Sequence, residues 1–173
     1  RRVLFRSYKM ATTKLKGNLV NLAGKEINVG DKAPIVTVTG KDLSDVVIGN
    51  SENTQLVVFV PSLDTAVCAA ETRRFNTEAA SVDGVEVVVV SMDLPFAMGR
   101  FCTTEGIEGL TVGSDFRNRE AGNNYGVLIA DGALRGVTGR AIFVIKDGVV
   151  TYKEICPEIT AEPDYDSALS AVK

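Results

Sequence analysis

The chain has 173 residues and contains no histidine. This absence excludes a Cys–His catalytic pair and histidine-ligated metals, and it removes most modes of haem ligation. No run approaches the roughly 18 apolar residues of a membrane-spanning helix, so we expect no membrane partner. The net charge of −3 gives no reason to expect nucleic acid as a partner. The length favours one domain, and the hydrophobic content of 45% is enough to fill its core.

Cysteine is scarce, and its spacing excludes further classes of site. The three cysteines stand at positions 68, 102 and 156, and no two of them form a CxxC pair. A zinc cluster is therefore disfavoured, and dithiol chemistry of the thioredoxin type is excluded. An odd number of cysteines, in a chain that shows no sign of secretion, fits a reducing compartment and catalytic thiols. We therefore expect a cytoplasmic protein.

The first nine residues are basic but lack the apolar region of a signal peptide. Because Met10 resembles a native start, we interpret residues 1–9 as a leader added in cloning. An ordered native extension is the alternative. Residues 10–173 then form one domain.

The hydrophobic pattern predicts alternating strands and helices. Residues 56–60 and 85–90 are continuous apolar, β-branched runs, typical of strands buried on both faces, and residues 66–80 between them should form a helix. The other expected elements are an N-terminal hairpin (14–20 and 26–29, around a turn at 21–25), short strands (35–38, 42–47, 111–112), helices (95–104, 119–125, and 163–172 capped by Asp164) and a second hairpin (141–145 and 149–153). This order predicts an α/β, thioredoxin-like fold with an added N-terminal β-hairpin.

Cys68 follows the turn PSLDTAV at residues 61–67, between a buried strand and a helix. A helix N-terminus carries partial positive charge and unpaired N–H donors, and both favour a thiolate over a thiol. The thiolate is the nucleophilic form. We therefore interpret the chain as a cysteine enzyme whose sulfur is presented by a strand–turn–helix unit. The alternative is a structural cysteine, because free cysteine is often a small core hydrophobe.

The pattern PxxxTxxC at residues 61–68 resembles the active-site signature of the peroxiredoxins. The longer stretch PSLDTAVCAAETRRFN is similar to that of the thiol peroxidase (Tpx) branch, an atypical 2-Cys group of that family. The resemblance continues through DLPFA at 93–97, RFC at 100–102, YGV at 125–127 and EPDY at 162–165. It covers nearly the whole chain from about residue 14 to residue 172.

The resemblance implies a thiol-dependent peroxidase that reduces hydrogen peroxide and organic hydroperoxides. Cys68 would be the peroxidatic residue, whose thiolate attacks the peroxide and becomes a sulfenic acid. Cys102 would be the resolving residue and form an intramolecular disulfide that thioredoxin reduces. The family also implies a homodimer. No bound cofactor or metal is expected, because sulfur does the chemistry.

Topology is compatible with this pairing, although alternatives remain for two of the cysteines. Cys68 and Cys102 follow the carboxyl ends of neighbouring parallel strands, which lie at one edge of an open sheet. A disulfide requires Cα atoms about 4.4–6.8 Å apart, so local unwinding of a helix would be needed. Cys102 could instead be a core cysteine beside Phe101. Cys156 has no matching role in the family, and we interpret it as structural or as an adventitious redox thiol.

Three further residues are candidates for the site. Thr65 lies three positions before Cys68, so its hydroxyl can bond the thiolate or the peroxide, although an ordinary N-cap is the alternative. Pro61 ends the strand, and the resemblance implies that it shields the site from water. Arg140 matches the arginine that the family brings to the thiolate, with a fixed charge and a fork of donors, although a solvated strand-end charge is possible.

Three charged residues of the helix after Cys68 carry weaker expectations. Glu71 could orient an arginine, or it could lie exposed on the helix. Arg73 and Arg74 are expected on the helix surface.

A redox-sensing or chaperone-like thiol-switch protein is the alternative function. Turnover separates the two, because an enzyme with thioredoxin consumes many equivalents of peroxide and a sensor stops after one.

Overall fold

The computed structural model describes residues 8–173, so most of the expected leader lies outside the described residues. The helices and strands of the described chain are β1 (Thr12–Leu15), β2 (Asn18–Ala23), β3 (Val36–Gly40), β4 (Asp45–Ile48), β5 (Thr54–Phe59), α1 (Ala66–Glu78), β6 (Val85–Ser91), α2 (Pro95–Glu105), β7 (Thr111–Ser114), α3 (Glu120–Asn124), β8 (Leu128–Ile129), β9 (Ala141–Lys146), β10 (Val149–Ile155) and α4 (Tyr165–Ala171). In this part of the chain no helix is long and apolar enough to cross a membrane.

Seven strands form the central sheet in the order β10-β9-β5-β6-β7-β3-β4. Strands β5, β6 and β7 are parallel, and β9 pairs with β5 in the antiparallel direction. The two apolar runs predicted as buried strands are β5 and β6, and they are neighbours in the middle of the sheet. Because β5 and β6 are parallel, their carboxyl ends lie at the same edge, where α1 and α2 begin. This edge positions the site.

Both faces of the sheet are covered, which explains why β5 and β6 are apolar throughout. Successive side chains of a strand point to opposite faces. Leu56 and Val58 therefore pack in one apolar cluster with residues of α1, α2 and α4. Val57 and Phe59 pack on the other side, in a cluster that contains Tyr125 and Ala121 of α3. The result is the expected α/β layering.

The N-terminal hairpin is present, but the predicted position of its turn is wrong. Strands β1 and β2 are joined by Lys16 and Gly17, with φ angles of 50° and 82°, and not by residues 21–25. Two consecutive positive φ angles match the twist of a tight hairpin. Lysine is not a residue that signals this turn, so the sequence pattern pointed instead to the Asn and Gly a few residues later. The Glu158 carboxylate holds the turn, since it accepts hydrogen bonds from the N–H groups of Lys16 (2.9 Å) and Gly17 (3.0 Å).

The segment predicted as the second hairpin strand, residues 26–29, has no regular structure. Its place beside β2 is taken by β8, which pairs Leu22 with Ile129 and Ala23 with Leu128. A strand of two residues is too short to show an alternating pattern, and the sequence gives no sign of it. The remaining elements match the prediction, including the α4 cap, where Asp164 accepts a hydrogen bond from the Ser167 N–H at 3.0 Å.

Candidate active site

The site begins at the turn between β5 and α1. Pro61 is buried two residues after the end of β5. The carbonyl of the intervening Val60 accepts a hydrogen bond from the buried Thr138 hydroxyl at 2.8 Å. The backbone N–H of Thr65 donates to the Ser62 carbonyl at 3.2 Å. These bonds fix the direction in which the chain enters the helix.

Cys68 lies in the first turn of α1, and its side chain is fully buried. Its sulfur accepts a hydrogen bond from Nη2 of Arg140 at 3.3 Å. The two residues are 72 positions apart in the chain, and the pairing of β9 with β5 brings them together. The geometry thus provides a fixed cation in direct contact with a thiol at a helix N-terminus.

Arg140 directly precedes β9 and is only 2% exposed, so the alternative of a solvated strand-end charge is wrong. Besides the Cys68 sulfur, its guanidinium binds the Glu71 carboxylate through Nη1 and the Ile159 carbonyl through Nε, the latter at 2.9 Å. Burial by itself would lower the pKa of Arg140, but Glu71 and the Cys68 sulfur outweigh burial and raise it. Arg140 therefore remains charged, and its plane is fixed by three partners.

Glu71 is fully buried, so the alternative of an exposed helical side chain is wrong. Its Oε2 accepts the Arg140 hydrogen bond, whereas its Oε1 has no hydrogen-bond partner among the described residues. Burial raises its pKa from 4.5 to about 7, against the opposing effect of Arg140. The sequence did contain a signal, because residues three apart on a helix share a face and Glu71 follows Cys68 by three positions.

Thr65 is the N-cap residue of α1 and is exposed. Its side chain makes no capping bond; the hydroxyl donates to the Ser62 carbonyl at 3.0 Å. The structure therefore does not bring the Thr65 hydroxyl into a hydrogen bond with the Cys68 sulfur. No donor among residues 8–173 bonds to the Thr65 hydroxyl oxygen, which can therefore still accept a hydrogen bond.

Cys102 lies inside α2 and is buried, in the same apolar cluster as Cys68. Burial raises its pKa above 9.0, with a smaller opposing effect from Lys41. Cys156 is buried after β10, where burial and the Glu154 carboxylate raise its pKa. Within residues 8–173 all three thiols are free. The fold thus places Cys68 and Cys102 in one cluster but does not join them.

Asp93 is a site residue that the sequence reasoning missed, although it opens the DLPFA motif. Its carboxylate accepts hydrogen bonds from the Ser62 hydroxyl (2.7 Å), the Leu63 N–H (2.8 Å) and the Ser91 hydroxyl (2.7 Å). Asp93 thereby ties the turn before α1 to the loop before α2. Only the tertiary structure reveals this role, because Ser62 and Leu63 in the turn before α1 are about 30 positions away from Asp93 in the chain.

A cavity of about 280 Å³ lies beside these two segments. It is lined by Leu63, Asp64, Asp93, Ala97, Arg100, Phe101, Thr104 and Glu105. Among the described residues, no group of three or more Cys, Asp or Glu side chains could hold a metal ion. The groups that the structure brings together at this site are the Cys68 sulfur, a fixed guanidinium and a buried carboxyl.

Comparison with known proteins identifies the family of the chain. The Redoxin family model matches residues 28–169. The chain is 57% identical to a thiol peroxidase of Campylobacter jejuni over 155 residues, which is 90% of this chain and 89% of that protein. It is 51% identical to a thiol peroxidase of Aquifex aeolicus, over 94% of this chain and 96% of that protein.

Solved structures confirm the thioredoxin-like fold. A peroxiredoxin-like protein from Aquifex aeolicus is 51% identical, with a TM-score of 0.91 over 94% of this chain and 96% of that one. A thiol peroxidase from Chromobacterium violaceum shares the fold at 22% identity, with a TM-score of 0.82 over 94% of this chain and 93% of that one. The chain therefore belongs to the redoxin family and is a thiol-dependent peroxidase of the peroxiredoxin type.

Proposed function

We propose that Cys68 is the peroxidatic residue of this peroxidase. The observation that carries the proposal is the contact between the Cys68 sulfur and Nη2 of the buried Arg140 at 3.3 Å. A thiolate at this position is stabilised by the guanidinium and by the N-terminus of α1. It attacks the terminal oxygen of the peroxide, so that an S–O bond forms, the O–O bond breaks and Cys68 becomes a sulfenic acid. The departing oxygen leaves as water or an alcohol after taking up a proton.

The surrounding residues would support this step in different ways. Arg140 is positioned to stabilise the negative charge that moves from sulfur to the departing oxygen, and Glu71 holds its guanidinium in plane. Pro61 limits access of water to the buried sulfur. The Thr65 oxygen would accept a hydrogen bond from the peroxide, while its own hydroxyl hydrogen stays bonded to the Ser62 carbonyl.

Cys102 would complete the cycle as the resolving residue. Its thiolate attacks the sulfur of the sulfenic acid, so that an S–S bond forms and the S–O bond breaks, releasing water. Thioredoxin would then reduce the Cys68–Cys102 disulfide by thiol–disulfide exchange. We propose hydrogen peroxide and organic hydroperoxides as substrates, a homodimer as the assembly and the cytoplasm as the location. Family membership supports these assignments, and the odd number of cysteines fits a reducing compartment.

The test is a steady-state assay of Cys68→Ser with thioredoxin, its reductase and three peroxides, namely hydrogen peroxide, an organic hydroperoxide and a lipid hydroperoxide. A serine hydroxyl is a poor nucleophile without a base, so turnover should vanish while the circular dichroism spectrum stays that of the wild type. Cys156→Ser serves as the control and should keep full turnover. Activity of Cys68→Ser above a few per cent of wild type would overturn the assignment. A wild type that stops after one equivalent of peroxide would favour the thiol switch instead.

A further inference from the structure

The two helices that carry Cys68 and Cys102 are tied to each other at both ends of α2. At the start of α2, Asp93 accepts hydrogen bonds from Ser62 and Leu63, as described above. At the other end, Glu105 accepts a hydrogen bond from Nη1 of Arg73 in α1 at 2.8 Å. Glu105 is the last residue of α2, and the cavity of about 280 Å³ lies between the two ties.

These ties belong to the state in which both thiols are free and buried. Cys102 is inside a helix, with its side chain packed in the core, and the Cys68 sulfur is held by Arg140. A disulfide demands that the two Cα atoms come within about 4.4–6.8 Å and that the sulfurs meet in a defined geometry. Glu105 follows Cys102 by three residues, on the same turn of α2, so a rearrangement of this turn that brings Cys102 to Cys68 also displaces Glu105 from Arg73.

The two ties differ in strength. Asp93 reaches the turn before α1 through two hydrogen bonds to partly buried groups, and a third bond from the Ser91 hydroxyl holds its carboxylate in place. The Arg73–Glu105 pair is more accessible, with side chains that are 47% and 30% exposed. Ion pairs in such positions contribute little and are screened by salt, so this end of α2 is the one that opens more readily.

We propose that the Arg73–Glu105 ion pair is a latch that holds α2 against α1 and sets the rate at which Cys102 reaches the sulfenic acid on Cys68. This inference rests on the proposed function of both cysteines. Arg73 and Glu105 are positioning residues, because neither touches the sulfur atoms. Opening the latch leaves the attack on peroxide unchanged and accelerates the formation of the S–S bond.

The experiment measures the two steps separately. Reduced protein is mixed with hydrogen peroxide in a quenched-flow device, and a dimedone-type reagent traps the sulfenic acid. Intact mass then gives the fractions of thiol, trapped sulfenic acid and disulfide at each time. Glu105→Ala should form the disulfide about 1.5- to 5-fold faster than wild type, the range expected for an exposed ion pair. Its rate of sulfenic acid formation should equal that of wild type.

Glu78→Ala is the matched control. Glu78 is the last residue of α1 and pairs with Arg74 of the same helix at 3.2 Å, so its loss does not release α2. Salt gives a second measurement on the unchanged protein. At about 1 M salt, where the Debye length is about 3 Å, disulfide formation should accelerate in wild type but hardly at all in Glu105→Ala.

The outcomes separate the two proposals. Normal formation of the sulfenic acid with an unchanged second step in Glu105→Ala overturns the latch alone. An equal acceleration in Glu78→Ala overturns it as well, because the effect would then be a general one of charge. If wild type forms no sulfenic acid on Cys68, the proposed function fails and the latch fails with it.

Discussion

Removal of the Arg140 guanidinium should lower the free energy of unfolding, because it leaves the buried Glu71 carboxylate without its ion-pair partner. In Arg140→Met the Glu71 carboxylate keeps its fully buried position but loses its ion-pair partner, and its Oε1 already has none among the described residues. Breaking a buried pair by removing one partner costs about 3–5 kcal/mol. The Ile159 carbonyl also loses a donor at 2.9 Å. We therefore expect Arg140→Met to lose about 3–5 kcal/mol of unfolding free energy at pH 8.

The size of this loss should depend on pH and on Glu71. At pH 5.5 the carboxyl of Glu71, whose pKa is already raised to about 7 in the intact site, takes up a proton and the unpaired charge disappears. The loss should then shrink to about 1–3 kcal/mol, the cost of unsatisfied buried polar groups. The double variant Arg140→Met/Glu71→Gln should show the same small loss at both pH values, because it carries no buried charge.

Urea denaturation of the reduced proteins, followed by far-UV circular dichroism, measures these free energies. Circular dichroism is preferred to tryptophan fluorescence because the chain contains no tryptophan. Wild type, both single variants and the double variant form a double-mutant cycle, which isolates the coupling between the two side chains. A coupling near zero at pH 8, or a loss in Arg140→Met that does not change between pH 8 and pH 5.5, would refute the reasoning.

Three further predictions concern the same site. Folding raises the pKa of Glu71 from 4.5 to about 7, so between these pH values the folded chain holds a proton on Glu71 that the unfolded chain has lost. This group therefore contributes up to about 3 kcal/mol of stability below pH 4.5 that is lost as pH rises to 7. Glu71→Gln should remove this dependence, as seen in denaturation midpoints across that range. Arg140→Lys keeps the charge but loses the planar fork, so the second-order rate of peroxide reduction should fall at least about tenfold, and a wild-type rate of Cys68 alkylation and oxidation would contradict this. Cys102→Ser should still form a sulfenic acid that dimedone traps and that excess peroxide drives to irreversible acids, whereas turnover with thioredoxin collapses. A mass-spectrometric crosslink from Cys68 to Cys156, and not to Cys102, in oxidised wild type would argue against the resolving role.

Local patterns in the sequence were sufficient for the centre of the fold. Strands β5 and β6 are continuous runs rich in β-branched residues. Because both faces of these strands are buried, successive positions are apolar and the run is easy to recognise in the sequence. The position of Cys68 at a helix start follows from the same run and the turn after it. The hairpin turn could not be placed correctly, because Lys16 takes a positive φ that the Glu158 carboxylate stabilises from a distant part of the chain.

The electrostatics of the site could be predicted only in part. A match to family residues identified Arg140, and the spacing of three residues from Cys68 made Glu71 a candidate to orient an arginine. Nothing local shows that the two meet across 69 positions or that both are buried. The bonds of Asp93 to the turn before α1 also depend on two neighbouring strands ending at the same edge. Interactions of this kind depend on tertiary packing, which hydrophobic periodicity does not encode.

The hydrogen bond from Arg140 to the Ile159 carbonyl extends the site beyond the thioredoxin-like core. The backbone N–H of Ile159 donates to the Lys14 carbonyl in β1 at 2.8 Å, and the neighbouring Thr13 hydroxyl donates to the Cys156 carbonyl at 2.7 Å. The N-terminal hairpin thus supports the segment around Ile159, whose carbonyl orients the Arg140 guanidinium. A substitution in β1 that breaks these bonds, although remote from the sulfur, should therefore change the rate at which the protein reacts with peroxide.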